Sequence, residues 1–535
     1  MLIDIFMMRG EVPRLKDYLL PNEAATLARD CEFERGVIMP INENLHARSL
    51  PFPAKTLHRY DDAWLLWPDS VVSAIDSPLG QDQWQRVYFT GDGKPKVTAQ
   101  DIAIDGSGFG PAAAYDLGVP RPEFPPAVLS IDTSTGEEPP LGEPALIDDE
   151  DRVYIQTYVT RFGEEGAPGE PSGSVLIEKP GSTITLGLSQ PTTNTHNITH
   201  TRVYRSVTAA GVGAYMLLAE LPISNTEYKD STRDLNSAVL ETWDYDEPPE
   251  NMQGLCTMAN GICAGFAGNE VMFSAAYLPY AWPKSYRLTT EHTIQAIVPV
   301  GTSLVAVTRG YPYIFSGVTP DAMTATKLDI EQSCVSADSL VVVSGMAMYA
   351  APDGLVVVSS DGAAIASEEI IDRKQWQALK PETIRAVAVE GWYVAQSETG
   401  GFIYDPLSKA FTRISDRWDA TYVDLLTDTL FIVHGDKVSM WRQSEELKSM
   451  TWRSKVFWVP DDAALTSARV RASEPEKLTI KVIADNQTIL TVPQGELTNM
   501  PFRLPPVRAS YWQIEVSGAA GVDRLMLSDS MQELA

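Results

Sequence analysis

The two histidines of the segment His196-Asn-Ile-Thr-His200 have the spacing that most resembles a metal site in this chain. On a helix, residues four apart lie on one face, and two imidazoles there can bind zinc. The Asn, Ile and Thr between them favour a loop or a strand, where residues four apart are separated by ~13 Å. No acidic or cysteine ligand follows closely in the sequence. We therefore assign no metal-binding residue.

Three other segments superficially match ligand-binding patterns. Asp101–Gly110 is glycine-rich like a phosphate loop, but it lacks the Lys-Ser/Thr pair and the following helix, so a bulged loop is favoured. The acidic segments Asp148–Asp151 and Asp461–Asp462 lack the Asp-x-Asp-x-Asp-Gly pattern of calcium loops. We interpret them as solvated turns and assign no cofactor.

The signatures of enzymes built on propellers are also missing. The turns Ala351-Pro-Asp-Gly354 and Ser360-Asp-Gly362 do not match the repeated turn of sialidases, and no Gly-x-Ser-x-Gly turn is present. A carboxylate pair for glycoside cleavage stays open, because 71 acidic residues permit some pair to meet in space. Seven aromatic residues could stack on sugars, although blade core or a subunit interface is favoured: Trp64, Trp67, Tyr277, Tyr280, Trp282, Tyr311 and Tyr313. We expect no enzyme and assign no catalytic residue.

Any functional site must be positioned by short strands, and these strands recur in pairs through the second half of the chain. Four pairs of apolar strands recur at spacings of roughly 37 to 46 residues, which is the length of a four-stranded propeller blade. The pairs are Ser303–Thr308 with Tyr311–Phe315, Gly345–Ala350 with Gly354–Val358, Gly391–Ala395 with Gly401–Tyr404, and Thr429–Val433 with Lys437–Trp441. The pattern predicts a β-propeller.

Composition narrows the function classes. The chain has 535 residues, with 42 basic and 71 acidic residues and a net charge of −29. This charge argues against DNA binding on the surface and is compatible with a wall that DNA slides past, although high acidity also serves solubility. No signal peptide or membrane-spanning apolar run is visible, and the four cysteines match no zinc pattern. We expect synthesis in a reducing cytoplasm, with all four cysteines buried.

The chain divides into five segments that differ in composition and in strand pattern. Residues 1–120 should hold a helix at Pro21–Cys31, capped by Asn22, and a first blade made of four strands: Thr56–Tyr60, Ala63–Trp67, Val71–Ile75 and Arg86–Thr90. Residues 121–151 should form a Pro/Gly-rich linker, 152–250 an inserted sandwich, 251–454 the remaining blades, and 455–535 a terminal β-sandwich. A blade near each end of the chain predicts a ring closed by distant segments.

The predicted fold class is therefore all-β: a β-propeller with an inserted immunoglobulin-like sandwich and a C-terminal β-sandwich. Two phrases in the insert, Tyr158–Glu165 and Thr201–Ser206, resemble fibronectin type III strands, although the segment resembling the late strands comes first. We expect the C-terminal sandwich to be a contact surface or a cap on the last blade.

Longer phrases resemble the tail nozzle (tail tubular protein B-like) proteins in virions of short-tailed bacteriophages. The main phrases are Asn260–Ser274, Tyr277–Pro283 and Thr308–Gly317, continued by Cys334–Ser336, Tyr349–Leu355, Arg373–Leu379 and the opening Arg9–Arg14 with Leu20–Pro21 and Asp30–Cys31. The resemblance covers most of the propeller.

It implies a virion tail protein made in the host bacterial cytoplasm, with six copies forming the conduit through which DNA is ejected. The implied partners are a tail adaptor or connector above, possible tail fibre or spike proteins, and double-stranded DNA in transient passage. A head-completion hub of the phage neck and a carbohydrate-binding or glycan-cleaving propeller for host attachment stay open as alternatives. Which residues line or gate the lumen is unknown from sequence.

Overall fold

The computed structural model describes residues 1–33, 36–138, 141, 150–179, 181–209, 212–233, 235, 237–459 and 464–534, and these are nearly all strands and turns. The helical turns are short: α-helix Arg373–Ala378 and the 3-10 helices Thr133–Thr135, Ala259–Gly261, Lys284–Tyr286, Pro320–Ala322, Ala337–Ser339, Pro381–Thr383, Pro475–Lys477 and Met531–Leu534. The all-β prediction is confirmed.

Seven small sheets, named blades 1 to 7, form the central body within the described residues. Blade 1 contains Thr56–Tyr60, Ala63–Trp67 and Phe109–Gly110; blade 2 contains Ser73–Asp76, Val87–Thr90, Lys96–Thr98 and Tyr115–Asp116; blade 3 contains Gln253–Thr257, Cys263–Ala267, Glu270–Phe273 and Arg287–Thr289. Blade 4 contains Ile294–Val300, Ser303–Thr308, Tyr313–Ser316 and Thr324–Lys327; blade 5 contains Val341–Val343, Met346–Ala350, Leu355–Ser359 and Gly362–Ile365. Blade 6 contains Arg385–Val389, Trp392–Gln396, Gly401–Asp405 and Ala410–Ile414; blade 7 contains Ala420–Asp424, Thr429–His434, Lys437–Met440 and Leu45–Ser49.

Buried side chains join the blades in a cycle. Each pair of neighbouring blades shares one apolar cluster, represented by Tyr88 with Met272, Phe273 with Leu304, Val305 with Tyr349, Met348 with Phe402, Val394 with Ile432, Phe431 with Trp64, and Trp67 with Phe89. The last two seams hold aromatic pairs, with ring centroids 5.3 Å apart for Trp64–Phe431 and 5.2 Å apart for Trp67–Phe89. Because the seventh blade packs on the first, the body is a β-propeller.

The outer strand of blade 7 comes from the other end of the chain. Leu45–Ser49 pairs antiparallel with Lys437–Met440, so residues about 390 positions apart complete one sheet. This confirms the expected closure of the ring by distant segments. The four strands predicted as one N-terminal blade instead divide between blades 1 and 2, because Thr56–Tyr60 pairs with Ala63–Trp67 while Ser73–Asp76 pairs with Val87–Thr90.

The inserted sandwich leaves blade 2 and returns to blade 3. Its strands are Ala127–Asp132, Thr183–Gly187 and Glu227–Asp230 in one sheet, Tyr154–Thr160, Ile198–Ala209 and Val212–Pro222 in a second, and the pair Glu150–Arg152 with Val175–Ile177. The predicted linker 121–151 is wrong at Ala127–Asp132, which pairs with Thr183–Gly187. The prolines before it did not prevent a strand because they precede it.

The C-terminal sandwich also recruits the N-terminus. One sheet contains Leu2–Ile5, Val522–Ser528, Ser467–Ala472 and Phe502–Arg503, and the other contains Met450–Ser454, Tyr511–Gly518, Leu478–Ala484, Gln487–Val492 and Phe457–Trp458. The short pair Cys31–Glu32 and Met39–Pro40 lies nearby.

The predicted helix at Pro21–Cys31 is wrong. Ala25–Arg29 is a strand, paired antiparallel with Met450–Ser454 and parallel with blade 6 at Arg413. Buried Glu11 supports this junction, because its carboxylate accepts hydrogen bonds from the Ala28 amide at 2.9 Å and Arg413 at 3.1 Å. Pairing on both edges outweighs the local helix propensity of the alanines. The strand thus joins blade 6 to the C-terminal sandwich.

We predict that Trp64→Ala destabilises the propeller by about 3–5 kcal/mol, because it opens a cavity in the seam between blades 7 and 1. Trp64 is 6% exposed and makes edge contacts with Tyr422 and Phe431. Trp458→Ala is the matched control: its side chain is 62% exposed, so the loss should stay below about 1 kcal/mol. Urea unfolding followed by fluorescence measures both, and equal losses would contradict the closed seam.

Candidate functional site

Three innermost propeller strands end in aspartates at one face of the ring. Thr56–Tyr60 is followed by Asp61 and Asp62, while Ser73–Asp76 and Ala420–Asp424 have the aspartate as their last residue. Innermost strands of a propeller run in the same direction, so their carboxyl ends meet at the same face. These residues surround a cleft of about 830 Å³, which we call the acidic cleft.

The cleft contains five aspartates and two arginines: Asp61, Asp62, Asp76, Asp82, Asp424, Arg59 and Arg86. Arg59 crosses from blade 1 to Asp424 of blade 7 at 2.9 Å, and His58 contacts Asp76 of blade 2 at 3.0 Å. These contacts bridge three blades. The carboxylates of Asp61 and Asp62 are exposed and form no ion pair within the described residues.

The wall between Tyr60 and Arg86 is polar and connected by hydrogen bonds. The Tyr60 hydroxyl donates to the Gln85 carbonyl at 2.8 Å, and burial together with nearby carboxylates raises its pKa to about 12. Burial alone would raise the pKa of Asp82, but hydrogen bonds from Arg86 and the Trp84 amide lower it below the ordinary value. Asp82 therefore stays ionised and orients Arg86.

Arg86 also connects the cleft to the inserted sandwich. Its Nη1 donates to Glu164 at 2.5 Å, and its guanidinium lies 5.3 Å from the Phe162 ring. Burial raises the pKa of Glu164 to about 7 even though Arg86 opposes the rise. One arginine thus couples a propeller loop to a hairpin of the insert.

Exposed leucines form the rim of the cleft. Leu425 and Leu426 are 89% and 97% exposed at the tip that follows Asp424, and the Asp424 carboxylate accepts a hydrogen bond from the Leu426 amide at 2.9 Å. Leu79, on the loop of blade 2, is 36% exposed. Apolar tips beside free carboxylates are typical of a contact surface for a macromolecule.

The described lining of the acidic cleft supplies carboxylates, guanidinium groups and a few hydroxyl groups. The backbone amide of Ser77, which lines the cleft, donates to the Arg86 carbonyl, and its side-chain oxygen accepts a hydrogen bond from the Leu79 amide at 3.4 Å. Among the residues that the structure describes, no three His, Cys, Asp or Glu side chains come close enough to hold a metal ion.

The histidines of the candidate zinc pattern lie at the end of the insert where the chain enters and leaves it. His196 Nδ1 is 3.1 Å from the Gly118 carbonyl and its Nε2 is 3.4 Å from Glu247. His200 lies within the strand Ile198–Ala209 and bonds Thr199. The expected loop or strand is confirmed, and His196 ties the two chain crossings of the insert together.

The glycine-rich segment Asp101–Gly110 adds a strand to blade 1, as a structural loop would. Asp105 accepts from the Ser107 amide at 2.8 Å, and a Cβ on Gly110 would lie 1.9 Å from the Ala103 carbonyl. Asp101 pairs with Arg161 of the insert. In the other two acidic segments, Asp148, Asp149, Asp461 and Asp462 lie outside the described residues, while Glu150 pairs with Arg152.

The remaining candidates are mostly structural. Five of the seven aromatic residues are buried, which confirms the blade-core interpretation for Trp64, Trp67, Tyr280, Trp282 and Tyr313. Tyr277 is 50% exposed and the Tyr311 hydroxyl donates to Glu331. The two turns compared with those of sialidases have structural contacts. Asp353 accepts a hydrogen bond from the Gln332 side chain, and Ser360–Gly362 closes a hairpin of blade 5.

All four cysteines are free thiols. Cys31, Cys263 and Cys334 are buried as expected, and Cys256 is half-buried. Burial raises the pKa of Cys263 and Cys334 to about 12, so these thiols stay protonated and unreactive.

Comparison with known proteins assigns no family to the chain. No family model matches it, and no curated protein matches it. Among solved structures, it resembles BBS1N crystallised in complex with ARL6DN at 12% identity, over 60% of this chain and 99% of that one, with a TM-score of 0.25. Hsv2 of Kluyveromyces marxianus matches at 9% identity over 54% and 89%, also with a TM-score of 0.25.

The extracellular domain of a putative one-component system from B. thetaiotaomicron matches at 8% identity over 94% and 91%, with a TM-score of 0.21. At such TM-scores these similarities carry no weight, and the fold rests on the strand pairing. Within the described part of the chain, no helix is long and apolar enough to cross a membrane.

The sequence contained one signal for the acidic cleft: three strands that each run into an aspartate. The sequence pattern does not reveal this signal, because it places Thr56–Tyr60 and Val71–Ile75 in one blade, whereas the observed strands Thr56–Tyr60 and Ser73–Asp76 belong to different blades and have equivalent ends. The contact of blade 7 with blade 1, which brings Asp424 to Arg59, is separated by 365 positions in sequence.

We predict that Glu164 makes the protein less stable as pH rises from about 5 to 7. Its folded pKa is raised to about 7, so the folded state keeps a proton that the unfolded state releases above pH ~4.5. Between these values stability falls with pH, and above about 7 the loss is complete. Glu164→Gln removes this term, so its urea midpoint should decline less between pH 5 and 8 than that of the wild type. Parallel pH profiles of the two proteins would contradict the assignment.

Proposed function

We propose that this chain is a structural subunit of a short-tailed phage tail nozzle, with six copies forming a conduit through which double-stranded DNA leaves. The phrases shared with nozzle proteins between Asn260 and Gly317 support it. These phrases build blades 3 and 4, and so belong to the ring scaffold. The proposal requires no catalytic group.

The observation that carries the proposal is the distribution of charge on a rigid closed scaffold. The inserted sandwich and its crossings, residues 117–252, hold 22 acidic and eight basic residues, while residues 450–535 hold ten acidic and nine basic ones. An acidic wall lets DNA pass, because binding by counterion release needs basic side chains. We therefore place the inserted sandwich beside the DNA path.

The runner-up, a carbohydrate-active propeller, needs exposed aromatic platforms beside a polar pocket. The acidic cleft offers Tyr422 as its aromatic wall besides Tyr60, and both are half-buried or buried. Its rim is made of leucines. A contact surface for protein accounts for these features better than a sugar site does.

We expect the purified protein, mixed with the neighbouring tail components, to form six-fold rings with a central opening. The reason is that a subunit with two different contact surfaces closes into a cyclic assembly when the rotation between copies closes. Mass photometry gives the number of copies, and two-dimensional averaging of particles gives the symmetry. A monomer under every condition, including with the connector present, would contradict the proposal.

Charge reversal in the inserted sandwich tests the passage of DNA. We expect Glu170→Lys, Glu178→Lys and Glu227→Lys together to slow or stall DNA release from virions, because exposed lysines on the wall bind phosphates. Glu476→Lys with Glu496→Lys in the C-terminal sandwich is the control and should release DNA normally. Release is followed by a DNA-binding dye, and equal rates in both variants would contradict the position given to the insert.

A further inference from the structure

The outer face of one C-terminal sheet is rich in arginine. Strand alternation places Arg469 and Arg471 of Ser467–Ala472 on the side away from the core, and the register places Arg524 opposite Arg471 and Arg503 opposite Ser467. We call Arg471, Arg503 and Arg524, with exposed Phe6 and Met500 nearby, the arginine face. Phe6 is 54% exposed and Met500 68% exposed.

Two of the three arginines on this face have no carboxylate partner in the described part of the chain. Arg471 lies directly opposite Arg524 on the neighbouring strand, and like charges in that position are destabilising. Arg524 bonds Asp4 at 2.6 Å, whereas Arg471 and Arg503 are exposed and form no ion pair with any described residue. In a chain of net charge −29, unpaired arginines are notable, because carboxylates are abundant elsewhere.

The acidic cleft has the opposite imbalance of charge, with more carboxylates than cations. Arg59 and Arg86 neutralise Asp424 and Asp82, and the exposed carboxylates of Asp61 and Asp62 have no cation partner among the residues that the structure describes. The Leu425 and Leu426 tips offer apolar contact at the rim, as Phe6 and Met500 do on the arginine face. Both surfaces therefore combine unpaired charge of opposite sign with exposed apolar side chains.

We propose that the arginine face of one copy docks on the acidic cleft of a second copy of this chain. The two surfaces are on different modules, the C-terminal sandwich and blades 7, 1 and 2, so the contact is heterologous. A head-to-tail contact of this kind generates a closed ring or an open filament. The inference rests on the proposed ring and names its subunit contact.

A charge swap tests the contact. Asp61→Lys with Asp62→Lys, and separately Arg471→Glu with Arg503→Glu, should each weaken assembly about tenfold or more, because like charges then face each other. The chain carrying all four substitutions should regain assembly, because every contact is again complementary. Lys284→Glu with Arg309→Glu, which reverses exposed cations of blades 3 and 4, is the control and should assemble as wild type.

Assembly is measured by mass photometry and native mass spectrometry on the full chain, with the thermal midpoint confirming that each variant folds. Double variants that assemble like the wild type would overturn the inference. So would a variant that carries all four substitutions and folds but does not regain assembly. Loss of connector binding with intact assembly between copies would assign the arginine face to the connector and also overturn it.

The outcomes separate this contact from the proposed function. Six-fold rings that are insensitive to all four substitutions would keep the nozzle and overturn the contact. Filaments or pairs that need these charges, with no ring under any condition, would support the contact and overturn the nozzle.

Discussion

The pairing of Leu45–Ser49 with Lys437–Met440 is the interaction on which the rest of the molecule depends. It completes blade 7, whose second strand, Thr429–His434, packs on blade 1 through Phe431 and Trp64. Without that seam the blades would form an open arc that exposes an apolar sheet face at each end, and exposed apolar faces promote aggregation. Closure also aligns the ends of the innermost strands, and so it creates the acidic cleft: Arg59 reaches Asp424 only because the seventh blade meets the first.

Two polar junctions then fix the added modules to the ring. Arg86, held by Asp82, binds buried Glu164 of the insert, and Glu11 binds both Arg413 of blade 6 and the strand Ala25–Arg29 that continues into the C-terminal sandwich. Buried charged groups of this kind are costly unless fully bonded, but they specify one orientation. The modules are therefore positioned by a few directional contacts, while the apolar clusters hold the blades.

Local patterns in the sequence predicted most of the propeller. The strand pairs at Ser303–Ser316 and Met346–Ser359 are hairpins whose apolar residues and turns are adjacent in sequence, so they could be recognised. Ala25–Arg29 could not, because its alanines favour a helix and its partners lie about 385 and 425 positions away. The acidic cleft was missed for the same reason, since its charges come from three blades and acquire meaning only after closure.

The N-terminal strands have a consequence for how the molecule is made. Leu2–Ile5 pairs with Val522–Ser528 and Ala25–Arg29 pairs with Met450–Ser454, so both strands are translated long before their partners. During translation their edges stay unsatisfied while the middle blades fold around them. A polypeptide that lacks the partner strands Met450–Ser454 and Val522–Ser528 therefore keeps unpaired strand edges, and such edges make it a target for chaperones and proteases.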